Sequence, residues 1–142
     1  MTNDLMSPAL RRRQKPETLR LRAVMPSLSV RDLERSISWY RDVLGFVIAD
    51  LAEADGRPVA AQMIAGKVRF LLMQDDAPNP PAQKGEGFRV FCATRQNIDR
   101  IAALIEERGG NISEGPRNQW GGRDFTVVDP DGFHIVITTG TR

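Results

Sequence analysis

The apolar positions of this chain follow a helical period twice, and each run is bracketed by residues that begin and end helices. The first run follows Asp32 and stops at Gly45; the second follows Asn97 and stops at Gly109 and Gly110. Aspartate and asparagine cap helix N-termini, and glycine closes C-termini. The spacing of three and four residues therefore predicts two amphipathic helices. Their apolar stripes are Leu33, Ile37, Tyr40 and Leu44, and Ile98, Ile101, Ala102 and Ile105.

The second helical run repeats the first at a fixed interval. Asn97 lies as many residues after Asp32 as Gly110 lies after Gly45. Gly66 and Gly132, which are each expected in a hairpin turn, are separated by almost the same number of residues. A duplicated unit that cannot close its own core is expected to pack against its copy. The groove between the two copies is then a natural place for a ligand.

Apolar and alternating runs before and after each helix predict strands. A loop that carries Trp120 is expected over 115–122. The order is β-α-β-β-β, repeated once, which predicts an α+β protein with a cupped, mostly antiparallel sheet and helices on its outer face. The strands are expected over 20–30, 46–52, 59–64 and 68–73, and over 88–93, 111–114, 123–128 and 133–138.

The chain is expected to form one domain preceded by a basic extension. Residues 1–22 form the extension and 23–142 the domain, because 142 residues suit one core. Module one covers about 23–74, a linker rich in proline and glycine about 75–86, and module two about 87–139.

Composition fits a globular protein of a reducing compartment. Hydrophobic residues make up 41% and charged residues 27% of the chain, and no apolar run approaches the ~20 residues that span a bilayer. One cysteine, Cys92, excludes an internal disulfide, so a cytoplasmic location is expected. The net charge is +2. Nucleic-acid binding is not favoured, because no aromatic-rich basic surface accompanies the N-terminal arginines.

Two stretches resemble one known family. The sequence from Pro26 to Phe46, PSLSVRDLERSISWYRDVLGF, and the sequence from Trp120 to Gly132, WGGRDFTVVDPDG, are similar to motifs of the vicinal-oxygen-chelate superfamily. The resemblance covers about 24–138. That superfamily includes glyoxalase I, extradiol dioxygenases, fosfomycin-resistance transferases and bleomycin-resistance proteins. The resemblance implies paired βαβββ modules and a homodimer, but it does not fix the activity.

The resemblance also implies where metal-dependent members would hold a divalent ion. The four positions fall on Met25, Phe70, Val90 and Val136, with Phe88 as the alternative to Val90. None of these side chains is a good ligand for a divalent metal. Displacing each position by one residue does not restore a ligand set; the neighbours are Pro26, Arg69, Arg89 or Phe91, and Ile135 or Ile137. The sequence therefore predicts no metal centre of the family type and no cofactor.

Three polar or aromatic candidates remain. His134, the only histidine, shares a strand face with Val136. It is either a general base or, as we favour, a half-exposed residue after a turn. Trp120 either forms a pocket rim or covers the sheet edge. Asp129 and Asp131 belong to an Asp-Pro-Asp-Gly turn, so we expect them to serve the turn rather than acid–base chemistry.

The sequence favours metal-independent binding of a partly apolar small molecule in a cup at the module or dimer interface. Bleomycin-resistance proteins similarly sequester a ligand, although the mildly basic charge here favours an anionic or neutral ligand over a cationic drug. One alternative is a lyase, isomerase or dioxygenase with a relocated metal site or His134 acid–base chemistry. Another is a non-binding structural or regulatory subunit. The expected ligand-binding residues are Met25, Phe70, Leu72, Val90, Cys92, Trp120, His134 and Val136.

Overall fold

The computed structural model describes residues 18–81 and 84–140. Residues 1–17 of the predicted basic extension and residues 82 and 83 of the predicted linker lie outside the described part. The elements are β1 (Ser27–Val30), α1 (Leu33–Asp42), β2 (Val47–Ala54), β3 (Arg57–Ala65), β4 (Val68–Gln74), β5 (Arg89–Ala93), α2 (Ile98–Glu107), β6 (Asn111–Gln119), β7 (Gly122–Val128) and β8 (His134–Thr138).

The strands form two four-stranded sheets with the same topology. The first has the order β1-β4-β3-β2 and the second the order β5-β8-β7-β6. In each sheet the first pair is parallel and the other two pairs are antiparallel. The predicted α+β fold of two βαβββ modules is confirmed, with one sheet per module.

The two helices form where the apolar periodicity places them, and their caps are equivalent. The Asp32 side chain accepts a hydrogen bond from the backbone nitrogen of Arg35 at 3.1 Å. The Asn97 side chain accepts one from the backbone nitrogen of Arg100 at 2.9 Å. Gly45 follows α1 with φ of +84°, a conformation that glycine adopts without a steric penalty. Neither helix is long and apolar enough to cross a membrane, and no other helix occurs in residues 18–81 and 84–140.

Both modules contribute to one hydrophobic core. The helix-facing side of the first sheet supplies Leu28, Phe70 and Leu72, and that of the second sheet supplies Phe125 and Ile135. Because both sheets turn these sides toward a shared core, their other sides point outward, away from each other. We call these sides the module-one open face (Ser27, Ser29, Val47, Gln62, Leu71 and Met73) and the module-two open face (Arg89, Phe91, Glu114, Thr126, His134 and Val136).

A buried polar contact joins α1 of module one to the β7–β8 turn of module two. The Tyr40 hydroxyl donates to Asp129 Oδ2 at 2.8 Å, and Arg31 Nε donates to Asp131 Oδ1 at 2.9 Å. Asp129 Oδ1 also accepts from the backbone nitrogens of Asp131 and Phe133 at 2.9 Å. Burial raises the pKa of Tyr40, and the adjacent Asp129 carboxylate raises it further. The turn therefore fastens the two modules together.

Two strands differ from the sequence expectation. The first begins at Ser27 rather than near residue 20, and Leu21 and Val24 before it are exposed. The expected loop at 115–122 is mostly strand, since β6 runs to Gln119. The β6–β7 register shifts between Glu114 and Arg117, so an irregularity at Gly115 and Pro116 interrupts the ladder without ending the strand.

Candidate functional site

One concave site lies on the module-two open face. Strand register aligns Phe91, Val136, Thr126 and Glu114 in one row across all four strands. Thr126 and Val136 are buried and form the floor. Phe91 is 50% exposed and Trp120 is 77% exposed, so two aromatic rings stand at the sides. These residues, with Arg89, Arg117 and Gln119, enclose a cavity of 280 Å³.

Glu114 organises the polar side of this cavity. Its Oε1 atom accepts a hydrogen bond from the Thr126 hydroxyl at 3.2 Å. The same oxygen lies 3.4 Å from Arg89 Nη1 and 3.5 Å from Arg117 Nη2. Ion pairs of this length and exposure are weak. Both guanidinium groups therefore remain able to donate hydrogen bonds to a bound molecule.

A second carboxylate lies beneath the arginines. Asp124 is 1% exposed, and its Oδ2 atom accepts a hydrogen bond from Gln119 Nε2 at 3.0 Å. Its Oδ1 atom makes no hydrogen bond with the described residues and lies 3.8 Å from Arg117 Nε. The cavity thus presents two guanidinium groups and the 37%-exposed Glu114 carboxylate to solvent, whereas Asp124 is covered.

A tight turn holds Trp120 at the cavity edge. Gln119 pairs with Gly122, so the β6–β7 hairpin turns on Trp120 and Gly121, whose φ angles are +51° and +75°. Asp55 and Gly56 occupy the equivalent β2–β3 turn of module one, with φ angles of +53° and +75°. Aspartate tolerates this conformation, whereas a bulky residue is strained in it. Strain at an exposed tryptophan is typical of a functional position.

The expected site residues are only partly brought together. Val136 forms the cavity floor and Trp120 its edge. His134 lies on the same open face, opposite Arg89 in the strand register, but it does not line the cavity. Met25 is half-exposed just before β1, on the first sheet. Within one chain, Met25 and Val136 therefore lie in different modules.

The other four expected residues point toward the core. Phe70 and Leu72 are fully buried, and the Phe70 ring lies 5.9 Å from that of Tyr40. Val90 and Cys92 pack against the core from β5. Adjacent strand residues face opposite sides, so the open faces carry the neighbours instead. These neighbours are Arg69, Leu71, Arg89 and Phe91.

The residues at the family's metal positions do not fit a divalent ion. The four positions carry a thioether at Met25 and hydrocarbon side chains at Phe70, Val90 and Val136. The neighbours of Phe70 and Val90 on the open faces are Arg69 and Arg89, and none of these groups suits such an ion. Within residues 18–81 and 84–140, no group of three or more His, Cys, Asp or Glu side chains is arranged to hold a metal.

The family model of the Glyoxalase/Bleomycin resistance protein/Dioxygenase superfamily matches residues 21–137. The chain belongs to this superfamily. The match extends over both modules and includes every strand of the cavity.

Solved structures share this superfamily fold. TnmS3, an antibiotic binding protein from Streptomyces sp. CB03234, is 24% identical with a TM-score of 0.65, over 85% of this chain and 97% of that one. TioX from Micromonospora sp. ML1 is 19% identical with a TM-score of 0.67, over 84% and 100%. A glyoxalase/bleomycin resistance protein from Streptomyces sp. CB03234 is 26% identical with a TM-score of 0.61, over 80% and 96%.

Proposed function

We propose that this protein binds a partly apolar small molecule in the module-two cavity, without a metal ion and without transforming it. The observation that carries the proposal is the pairing of two exposed aromatic rings, Phe91 and Trp120, with two weakly paired guanidinium groups. Flat rings recognise apolar ligands, and a few polar groups fix their orientation. The likeness to TnmS3, described as antibiotic binding, agrees with this role.

The ligand is neutral or anionic. Arg89 and Arg117 each expose 45% of their side chain, whereas the Asp124 carboxylate beneath them is covered. A carboxylate or carbonyl group on the ligand would meet these donors first, and guanidinium binds planar carboxylates with two hydrogen bonds. The Glu114 carboxylate offsets one of the two positive charges, so the remaining positive charge disfavours a cationic ligand.

The complete cup is formed by two copies of the chain. The two open faces of one chain point away from each other, so neither can close over the other. The module-one open face exposes Val47 and Met73, which would supply an apolar wall opposite Phe91 and Trp120 in a homodimer. This arrangement also brings Met25 of one copy toward Val136 of the other.

Binding is tested with aromatic carboxylates, their neutral amides and their amine analogues, using thermal unfolding and calorimetry in the presence of a chelator. We expect the carboxylates and amides to raise the unfolding temperature, because binding to the native state alone stabilises it, and the amines to do less. Mass spectrometry of the recovered compounds should show them unchanged. Turnover of any compound, or binding that appears only with added metal, would support the enzyme alternative and overturn the proposal.

A further inference from the structure

The duplicated fold has two equivalent junctions between the modules, and they are filled differently. At the first, α1 meets the β7–β8 turn, where Tyr40 contacts Asp129 at 2.8 Å and the Ser36 hydroxyl lies 3.5 Å from Asp131 Oδ2. At the second, α2 faces the β3–β4 turn around Gly66. Hydrogen-bonded polar side chains fill the first junction. The second junction of the same chain can therefore be compared with it position by position.

The second junction has no counterpart of this contact. In the repeat, Ile101 and Ile105 of α2 correspond to Ser36 and Tyr40 of α1, and neither carries a polar group that reaches the opposite turn. Ala65 precedes Gly66 as Asp131 precedes Gly132. Instead of this polar contact, the second junction contains a groove of 530 Å³.

Most residues that line this groove are apolar, while Thr94 and Gln96 contribute polar surface and Lys67 makes one edge basic. Phe46 and Val68 form one wall, Ile101 and Ile105 another, and Cys92 lies at the floor. Burial raises the pKa of the Cys92 thiol to about 11, which agrees with an apolar interior. Lys67 lies at the edge, and no carboxylate among residues 18–81 and 84–140 forms an ion pair with it.

We infer that this groove is a second binding site, for an amphiphilic carboxylate such as a medium-chain fatty acid. The alkyl chain lies against the isoleucines and Phe46, and the carboxylate lies at Lys67. The volume falls within the range of ~300–1,000 Å³ typical of small-molecule pockets. The site is separate from the module-two cavity, because Cys92 and Phe91 are adjacent on β5 and face opposite sides of the sheet.

Cys92 provides a direct readout, because it is the only cysteine of the chain. The rate of its alkylation by iodoacetamide is measured by mass spectrometry with increasing sodium decanoate, below the micelle concentration, and with decanol as the neutral control. We expect decanoate to slow alkylation in a saturable way and decanol to protect less. Alkylation that decanoate does not slow overturns the inference, including the case in which a second copy or another segment of the chain already fills the groove.

Two variants and one matched control separate this site from a non-specific effect. Lys67→Glu should weaken decanoate protection by about three- to fivefold, the scale of an exposed ion pair, whereas Arg69→Glu, on the module-one open face, should leave it unchanged. Ile101→Phe fills the groove and should abolish the dependence on decanoate while the protein remains folded by circular dichroism. Equal effects of Lys67→Glu and Arg69→Glu, or full protection in folded Ile101→Phe, would contradict the assignment.

Discussion

Tyr40 shows how one side chain ties the modules together. Its ring packs within 5.9 Å of the rings of Trp39, Phe46 and Phe70, while its hydroxyl crosses to Asp129. Buried polar groups are costly when they lose a partner. The stability of the junction therefore depends on the hydroxyl as well as on the ring.

Tyr40→Phe should lower the free energy of unfolding by about 1.5–3 kcal/mol, because it removes a buried hydrogen bond to a carboxylate and leaves Asp129 Oδ2 unpaired. Ser36→Ala, which removes only the 3.5 Å contact with Asp131, should cost less. Urea unfolding of both variants measures the difference. Equal costs would show that the Tyr40 hydroxyl has no special role.

Asp129 should make the free energy of unfolding fall as pH rises, which is opposite to the usual effect of a carboxylate. Burial raises its pKa above the ordinary value of 3.8, despite hydrogen bonds that lower it. Between that value and the raised native pKa, the folded state binds more protons than the unfolded state, so the contribution of Asp129 to stability falls as pH rises. The free energy of unfolding of the native protein minus that of Asp129→Asn should therefore decrease as the pH is raised from 4. A difference that increases over this window would contradict the assignment.

A site residue can be predicted only where the sequence shows which face of the sheet each residue of its strand occupies. Val136 can be placed on the open face because its strand begins at a clear turn. Phe70 and Val90 are expected in the cup, although a charged neighbour, Arg69 or Arg89, cannot face an apolar core. That signal is present, but Leu71 and Phe91 are also apolar, so hydrophobicity alone does not distinguish the two sides of either strand.

The β2–β3 turn at Asp55 and Gly56 and the β6–β7 turn at Trp120 and Gly121 have the same backbone geometry. Only the second turn lies at the cavity. Elements with strong local signals, the capped helices and the glycine turns, are predictable from sequence. Strand β6 is not, because Gly115 and Pro116 resemble a loop and the register shift that accommodates them depends on pairing with β7. For the same reason, sequence reasoning misses Glu114 and Arg117 as site residues.

Trp120→Asn should stabilise the hairpin and weaken binding. Asparagine followed by glycine suits this two-residue turn, so relief of strain should add about 1 kcal/mol to the free energy of unfolding. Loss of the exposed ring should weaken binding of an aromatic carboxylate about tenfold. Asp55→Asn in the equivalent turn is the matched control and should change neither quantity appreciably. Unchanged affinity in Trp120→Asn would remove Trp120 from the site.

At the scale of the whole molecule, the direction of the two open faces governs assembly. In the proposed homodimer each face is half of a cup, and the shared core places the two faces on opposite sides of the chain. Sequence duplication predicts two packed modules, but it does not reveal that they meet through their helix-facing sides. That arrangement depends on which apolar surfaces are larger once the strands are paired.

The proposed homodimer predicts that substitutions in module one impair a site built on module two. Light scattering of the native protein should give twice the chain mass of 15.8 kDa. Val47→Glu combined with Met73→Glu should produce monomers and weaken ligand binding, because charges would replace the apolar wall. Leu104→Glu, at an exposed apolar position of α2, should preserve both properties. A monomeric native protein with full affinity would rule out the two-copy cup.

The shared core also makes the peptide connection between the modules dispensable in principle. Residues from both halves form one hydrophobic core, so each half would expose a large apolar surface by itself. Two separately synthesised polypeptides, divided within the linker, would accordingly be expected to reassemble into the native structure. The covalent tether then acts chiefly by keeping the partners at a high local concentration.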